Sequence, residues 1–138
     1  MSDINFWAVL VSAIVSMVIG SIWYGPLFGK PFMKAMGMDQ WSPEKQALMK
    51  KKMGVTYALQ FLASLVMFYV LAHFILGMND LTLKGSLLVA FWAWLGFVVP
   101  IKLGEALWGG KMILFWLGIG NMFLTLLAAG AILGVWGA

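Results

Sequence analysis

The chain has 138 residues, 63% of them hydrophobic and 10% charged, with a net charge of +4 and no cysteine. A soluble domain of this size exposes most of its residues and cannot hide so much apolar surface, so the composition excludes that class. The missing cysteines exclude disulfides, thiolate metal sites and thiol catalysis.

What remains is an integral membrane protein, because four apolar runs approach the length that spans hydrocarbon. The expected fold is all-α: one four-helix transmembrane domain over 1–138, with an amphipathic interfacial helix between the first two spans. The lysines lie beside these runs, where they read as topology determinants and contacts to anionic lipid. No nucleic-acid partner is expected.

Helix one is predicted over 4–24. Asp3 replaces the basic start of a signal peptide, and the run is too long for a signal core, so the helix is read as retained. Trp7 and the Trp23-Tyr24 pair suit aromatic belts at two interfaces. Ser12, Ser16 and Gly20 recur every four residues and share a face, where small side chains let a neighbouring helix approach. A catalytic serine is the other reading, but no acid or second histidine completes a triad.

Next comes Trp23 to Gly37, reading WYGPLFGKPFMKAMG. Gly25-Pro26 is expected to end the helix, since proline lacks the next backbone donor. After it, 31–38 reads as a short amphipathic helix with Phe32, Met33 and Met36 apolar and Lys30 and Lys34 towards headgroups. It serves either as an anchor or as a lid over a binding site.

Ser42-Pro43-Glu44 is a helix start: a capping serine, a proline at the first position and an acid at the positive end of the dipole. The helix is predicted over 43–76, its first part carrying Lys45, Lys50, Lys51 and Lys52 in water and its second part crossing the membrane. Gly77-Met78-Asn79-Asp80 reads as a turn. Helix three is predicted over 82–108, kinked at Pro100, where a carbonyl is freed. Gly109-Gly110 closes a hairpin into helix four, over 111–136, whose Gly130 and Gly134 form a second small-residue packing pair.

Lys30, Lys34, Lys45, Lys50, Lys51, Lys52, Lys102 and Lys111 fall on one side of this arrangement and Lys84 on the other. Positive residues accumulate in the cytoplasm, so the loop 25–54 is expected inside and both termini outside a cell inner membrane.

Polar groups within apolar runs need a partner or a purpose. Lys102 and Glu105 share a helix face and can pair; they either line a cavity or snorkel to the interface. Asn121 is expected to bond Ser16 or Ser64. The lone His73 reads as an interfacial imidazole and the methionines as packing, so no metal site and no cofactor is expected. The depths of these groups suggest a small cytoplasm-facing pocket walled by Trp23, Tyr24, Gln60, Lys102, Glu105 and Trp108, with Asn121 at its inner end.

The Trp23–Gly37 stretch, the lysine-rich approach to helix two and the segment Pro100 to Gly110 together resemble one group, the bacterial membrane family "domain of unknown function 1761". The resemblance implies four helices in a small inner-membrane protein and carries no activity, cofactor or catalytic residue.

Two functions are then open. One is a non-enzymatic membrane protein that binds lipid or a membrane partner, or assembles as a homo-oligomer. The other is a small transporter or channel using the pocket around Lys102 and Glu105. An enzyme acting on lipid would need a base or metal cluster, and none is found.

Overall fold

The computed structural model describes residues 4–78 and 82–136, so Asp3 and the Asn79-Asp80 part of the predicted turn lie outside the described residues. Among the described residues every regular element is helical, the α-helices being α1 (Phe6–Ile22), α2 (Gly29–Met36), α3 (Pro43–Gly77), α4 (Leu83–Ala93), α5 (Val99–Gly109) and α6 (Met112–Val135). Single π-helical turns, Trp23–Leu27 and Trp94–Val98, follow α1 and join α4 to α5. Among the described residues four stretches are long and apolar enough to cross a membrane: Phe6–Leu27, Pro43–Gly77, Leu83–Gly109 and Met112–Val135.

The helix boundaries have local causes. Asn5, before α1, accepts from the Trp7 and Ala8 backbone N–H groups at 3.1 and 3.3 Å, so it caps the helix. Ser42 accepts from Lys45 N–H at 3.2 Å, and Pro43 opens α3. Gly37 and Gly110, with φ of 73° and 74°, end α2 and α5 in the left-handed conformation that glycine adopts without a Cβ penalty.

Two helix ends differ from the sequence reading. Proline does not stop the first span at Gly25-Pro26; the backbone stays helical to Leu27. A π turn bonds five residues back, and Phe28 N–H donates to the Trp23 carbonyl at 2.9 Å, so the donor that Pro26 lacks is bypassed. The third span is likewise rearranged before its proline. Pro100 lies in the first turn of α5, where a missing N–H costs least, and the preceding π turn absorbs the change of register, with Val99 N–H on the Trp94 carbonyl.

Helix α6 is the hub, packed against α1, α4, α5 and α3. At the end of the bundle where the chain begins and finishes, Asn5 Nδ2 donates to the Trp136 carbonyl at 3.2 Å. The core fills this terminal half: Ala13, Phe68, Ile75, Ala90, Ala129 and Leu133 are among its buried residues. Gly130 and Gly134 let α4 lie directly on α6: a Cβ on Gly130 would come within 2.9 Å of Ala90 Cβ and 3.0 Å of the Ser86 carbonyl oxygen, and one on Gly134 within 2.6 Å of Ser86 Cβ.

The opposite end is open. From Pro43 to Gln60 every residue of α3 is exposed, while Phe68, Leu71, Ala72 and Ile75 are buried. Helices α1 and α3 therefore meet in the terminal half, where Phe6 stacks on Tyr69 with centroids 5.9 Å apart, and separate beyond it.

Candidate functional site

Two tryptophans tie the π turns to α6. Each begins a π turn, and each donates its indole N–H to an α6 carbonyl: Trp23 Nε1 to Leu117 at 2.9 Å and Trp94 Nε1 to Ile119 at 2.8 Å. An indole N–H in an apolar setting needs such a partner. Gly120 makes room for the first, since a Cβ there would lie 2.7 Å from Trp23 Cζ2. Phe123 packs edge-on to Trp94, with centroids 4.8 Å apart.

The open end holds a cavity of ≈ 570 Å³ walled by α1, α3, α5 and α6 and closed at one side by α2. Its polar lining includes Ser16, Ser21, Gln60, Ser64, Lys102, Asn121 and Thr125. Its apolar lining includes Met17, Met67, Met122, Tyr24, Phe32 and Tyr57. A smaller space of ≈ 280 Å³ adjoins it, sharing Tyr24, Phe32, Lys102 and Gly118 and adding Glu105 and Lys111. Helix α2 is held over both: Phe32 packs on Tyr24 at 4.6 Å, and Lys111 Nζ donates to the Ala35 carbonyl at 2.8 Å.

Lys102 crosses from α5 to α6. Its stem runs past Gly118, where a Cβ would lie at an ordinary contact distance of 3.6 Å from Lys102 Cδ. Its ammonium stands 3.8 Å from Glu105 Oε2, with both side chains substantially exposed. A pair this open adds little to stability.

The sequence reading grouped seven residues, and the structure divides them. Tyr24, Gln60, Lys102 and Asn121 line the main cavity. Glu105 lines the adjoining space alone. Trp23 is a support beside the cavity, occupied with α6. Trp108 is no wall at all: it is 95% exposed at the end of α5. Asn121 does not bond a serine. Ser16 Oγ donates to the Ala13 carbonyl at 2.7 Å and Ser64 Oγ to the Gln60 carbonyl at 2.9 Å, each on its own helix, which leaves Asn121 Oδ1 buried without a partner. Thr125 Oγ1, one turn along α6, is also unpartnered, as are Ser12 Oγ and Ser86 Oγ.

The small-residue face of α1 is split in the same way. Ser12 is buried, but Ser16 and Gly20 line the cavity, and a Cβ on Gly20 would meet nothing within 4 Å. No helix approaches closely there, because α3 has already diverged. Thr125, Ser21 and Gly118 were not singled out from the sequence; the i, i+4 spacing of Asn121 and Thr125 was the available sign. Among the described residues no group of three histidine, aspartate or glutamate side chains could hold a metal ion.

The family model described as "Protein of unknown function (DUF1761)" matches residues 7–134. No curated protein and no solved structure shows significant similarity to the chain. With nearly its whole length matched, the chain belongs to the DUF1761 family.

Proposed function

We propose that this DUF1761 member is a non-enzymatic multi-pass protein of the cell inner membrane that binds an amphiphilic molecule, a membrane lipid or a relative of one, in the cavity beside Lys102. The observation that carries the reading is the cavity itself: an interior lined by the polar residues Ser16, Gln60, Lys102, Asn121 and Thr125, set between helices long enough to span a bilayer. Such groups cost free energy in an apolar layer unless water or a ligand satisfies them. The lysine asymmetry supports placing the open end in the cytoplasm and both termini outside. In that frame α2 lies along the cytoplasmic interface, with Lys30 and Lys34 exposed towards headgroups.

Gly20 supplies the test, because it lines the cavity and a Cβ there would meet nothing within 4 Å. Native mass spectrometry of the protein released from nanodiscs of bacterial lipid should find a lipid-mass adduct on the wild type and little on Gly20→Phe. Equal retention by both would overturn the cavity as the binding site. A transport reading is favoured by one feature, the carboxylate of Glu105 ion-paired to Lys102 at the mouth. Proton-coupled uptake into proteoliposomes that is lost in Glu105→Gln would replace binding with transport.

A further inference from the structure

The smaller space beside the main cavity gathers charge. Lys102 and Glu105, three apart, come to it from one face of α5, and Lys111 from the start of α6. Phe32 and Met36, four apart on α2, are part of its wall. Two cations therefore line it against one carboxylate. Neither ammonium is saturated with acceptors. Lys102 Nζ meets Glu105 Oε2 at 3.8 Å, beyond hydrogen-bonding reach. Lys111 Nζ uses one of its three N–H bonds on the Ala35 carbonyl. Both remain accessible, since Lys111 is exposed and the Lys102 side chain keeps 40% of its surface. The Glu105 side chain, 65% exposed, is free to turn outwards. Lys102 also lines the main cavity, as do Tyr24, Phe32 and Gly118, so the two spaces share a wall.

Resting on the amphiphile reading, we propose that this smaller space is the headgroup site and takes an anionic phosphate, so that the amphiphile is an anionic phospholipid with its chains in the main cavity. The phosphate accepts from the Lys102 and Lys111 ammonium groups, contacts stronger than those between neutral partners. The Lys102–Glu105 pair is loose and exposed enough to give way. Lys111 can keep its bond to Ala35 while a second N–H reaches the phosphate, so one side chain ties the ligand to α2. Met17, Met67 and Met122, flexible apolar side chains, line the space left to the chains. A zwitterionic headgroup adds a cation that both lysines repel and only Glu105 can meet. Glu105 therefore works against an anion and in favour of a zwitterion, which gives its removal a definite sign.

Native mass spectrometry tests this on the full chain released from nanodiscs that hold dimyristoyl phosphatidylglycerol and dimyristoyl phosphatidylcholine in equal amounts. The two lipids share their chains and differ in headgroup charge. The phosphatidylglycerol adduct should exceed the phosphatidylcholine adduct by about tenfold, the effect of one hydrogen bond to a charged group. Lys102→Gln should bring the ratio near one and Lys102→Arg should keep it, which separates lost charge from lost fold. Lys111→Gln, whose amide can still donate to the Ala35 carbonyl, should lower the ratio severalfold. Glu105→Gln should raise it. Replacing Lys50, Lys51 and Lys52 of the exposed part of α3 with glutamine should leave it unchanged. Equal adducts on the wild type overturn the anion site while lipid binding stands. So does a ratio that Lys102→Gln or Lys111→Gln leaves unchanged, that Glu105→Gln lowers, or that the three α3 lysines carry. If neither lipid is retained, or if Gly20→Phe retains both as well as the wild type, the underlying amphiphile reading fails too. Added inorganic phosphate should leave the phosphatidylglycerol adduct in place. If it removes the adduct, the ligand is a free phosphate and the lipid is overturned as its source.

Discussion

Gly120 and Gly20 look alike in the sequence and differ in the structure. A methyl on Gly120 would press on the Trp23 indole at 2.7 Å and dislodge its hydrogen bond to Leu117, whereas a methyl on Gly20 would meet open space. Gly120→Ala should therefore cost about 1–3 kcal/mol, the usual range for overpacking. Gly20→Ala should be neutral or stabilising by up to about 1 kcal/mol, because glycine is a poor helix former. Thermal unfolding in detergent compares them, and a melting point unchanged in Gly120→Ala would show that the indole is not held there. At this scale the sequence was informative about which residues have unusual chemistry and poor on what each one touches. Tyr24, Gln60, Lys102 and Asn121 could be grouped because depth along an apolar run is countable. Trp23 was misplaced because its partner is a backbone carbonyl 94 residues away, and Trp108 because no count of depth says which way a side chain faces at a helix end.

The helices themselves were legible as apolar runs between breakers, and α3 could be read nearly to its ends from Ser42, Pro43 and the glycine at 77. The π turns were not. Proline announces a missing donor, but whether a helix stops, kinks or widens depends on what the neighbouring helix offers, and here α6 offers carbonyls to Trp23 and Trp94. The turn at Trp94–Val98 has a consequence for the site. It holds one residue more than an α-turn would, so it sets the azimuth of everything in α5. Deleting Gly96 should return the segment to α-helix and swing Lys102 by about 100° away from Gly118. The chain has no native cysteine, so a Lys102→Cys, Gly118→Cys pair can be joined by a short bifunctional thiol reagent without background. The pair should crosslink efficiently in the full-length frame and poorly in the Gly96 deletion. Equal yields in the two frames would mean that the π turn does not position Lys102.

Taken whole, the molecule is a bundle packed at one end and parted at the other. Burial follows the core through the terminal half and stops where α3 becomes exposed up to Gln60. Hydrophobicity alone could not show this division, because the same apolar residues serve a core and a lipid-facing surface. It is this parting that places Ser16, Gly20 and Asn121 around a space instead of in a seam. The central claim, a cytoplasm-facing cavity that holds an amphiphile, can be tested by one labelling experiment on Ser16→Cys. Ser16 lines the cavity, and its thiol would be the protein's only one. A membrane-impermeant maleimide should label it in inverted membrane vesicles and not in intact spheroplasts, and an added short-chain phospholipid should slow that labelling severalfold. Labelling from the spheroplast side, or labelling from the cytoplasmic side that the amphiphile leaves unchanged, would contradict the account.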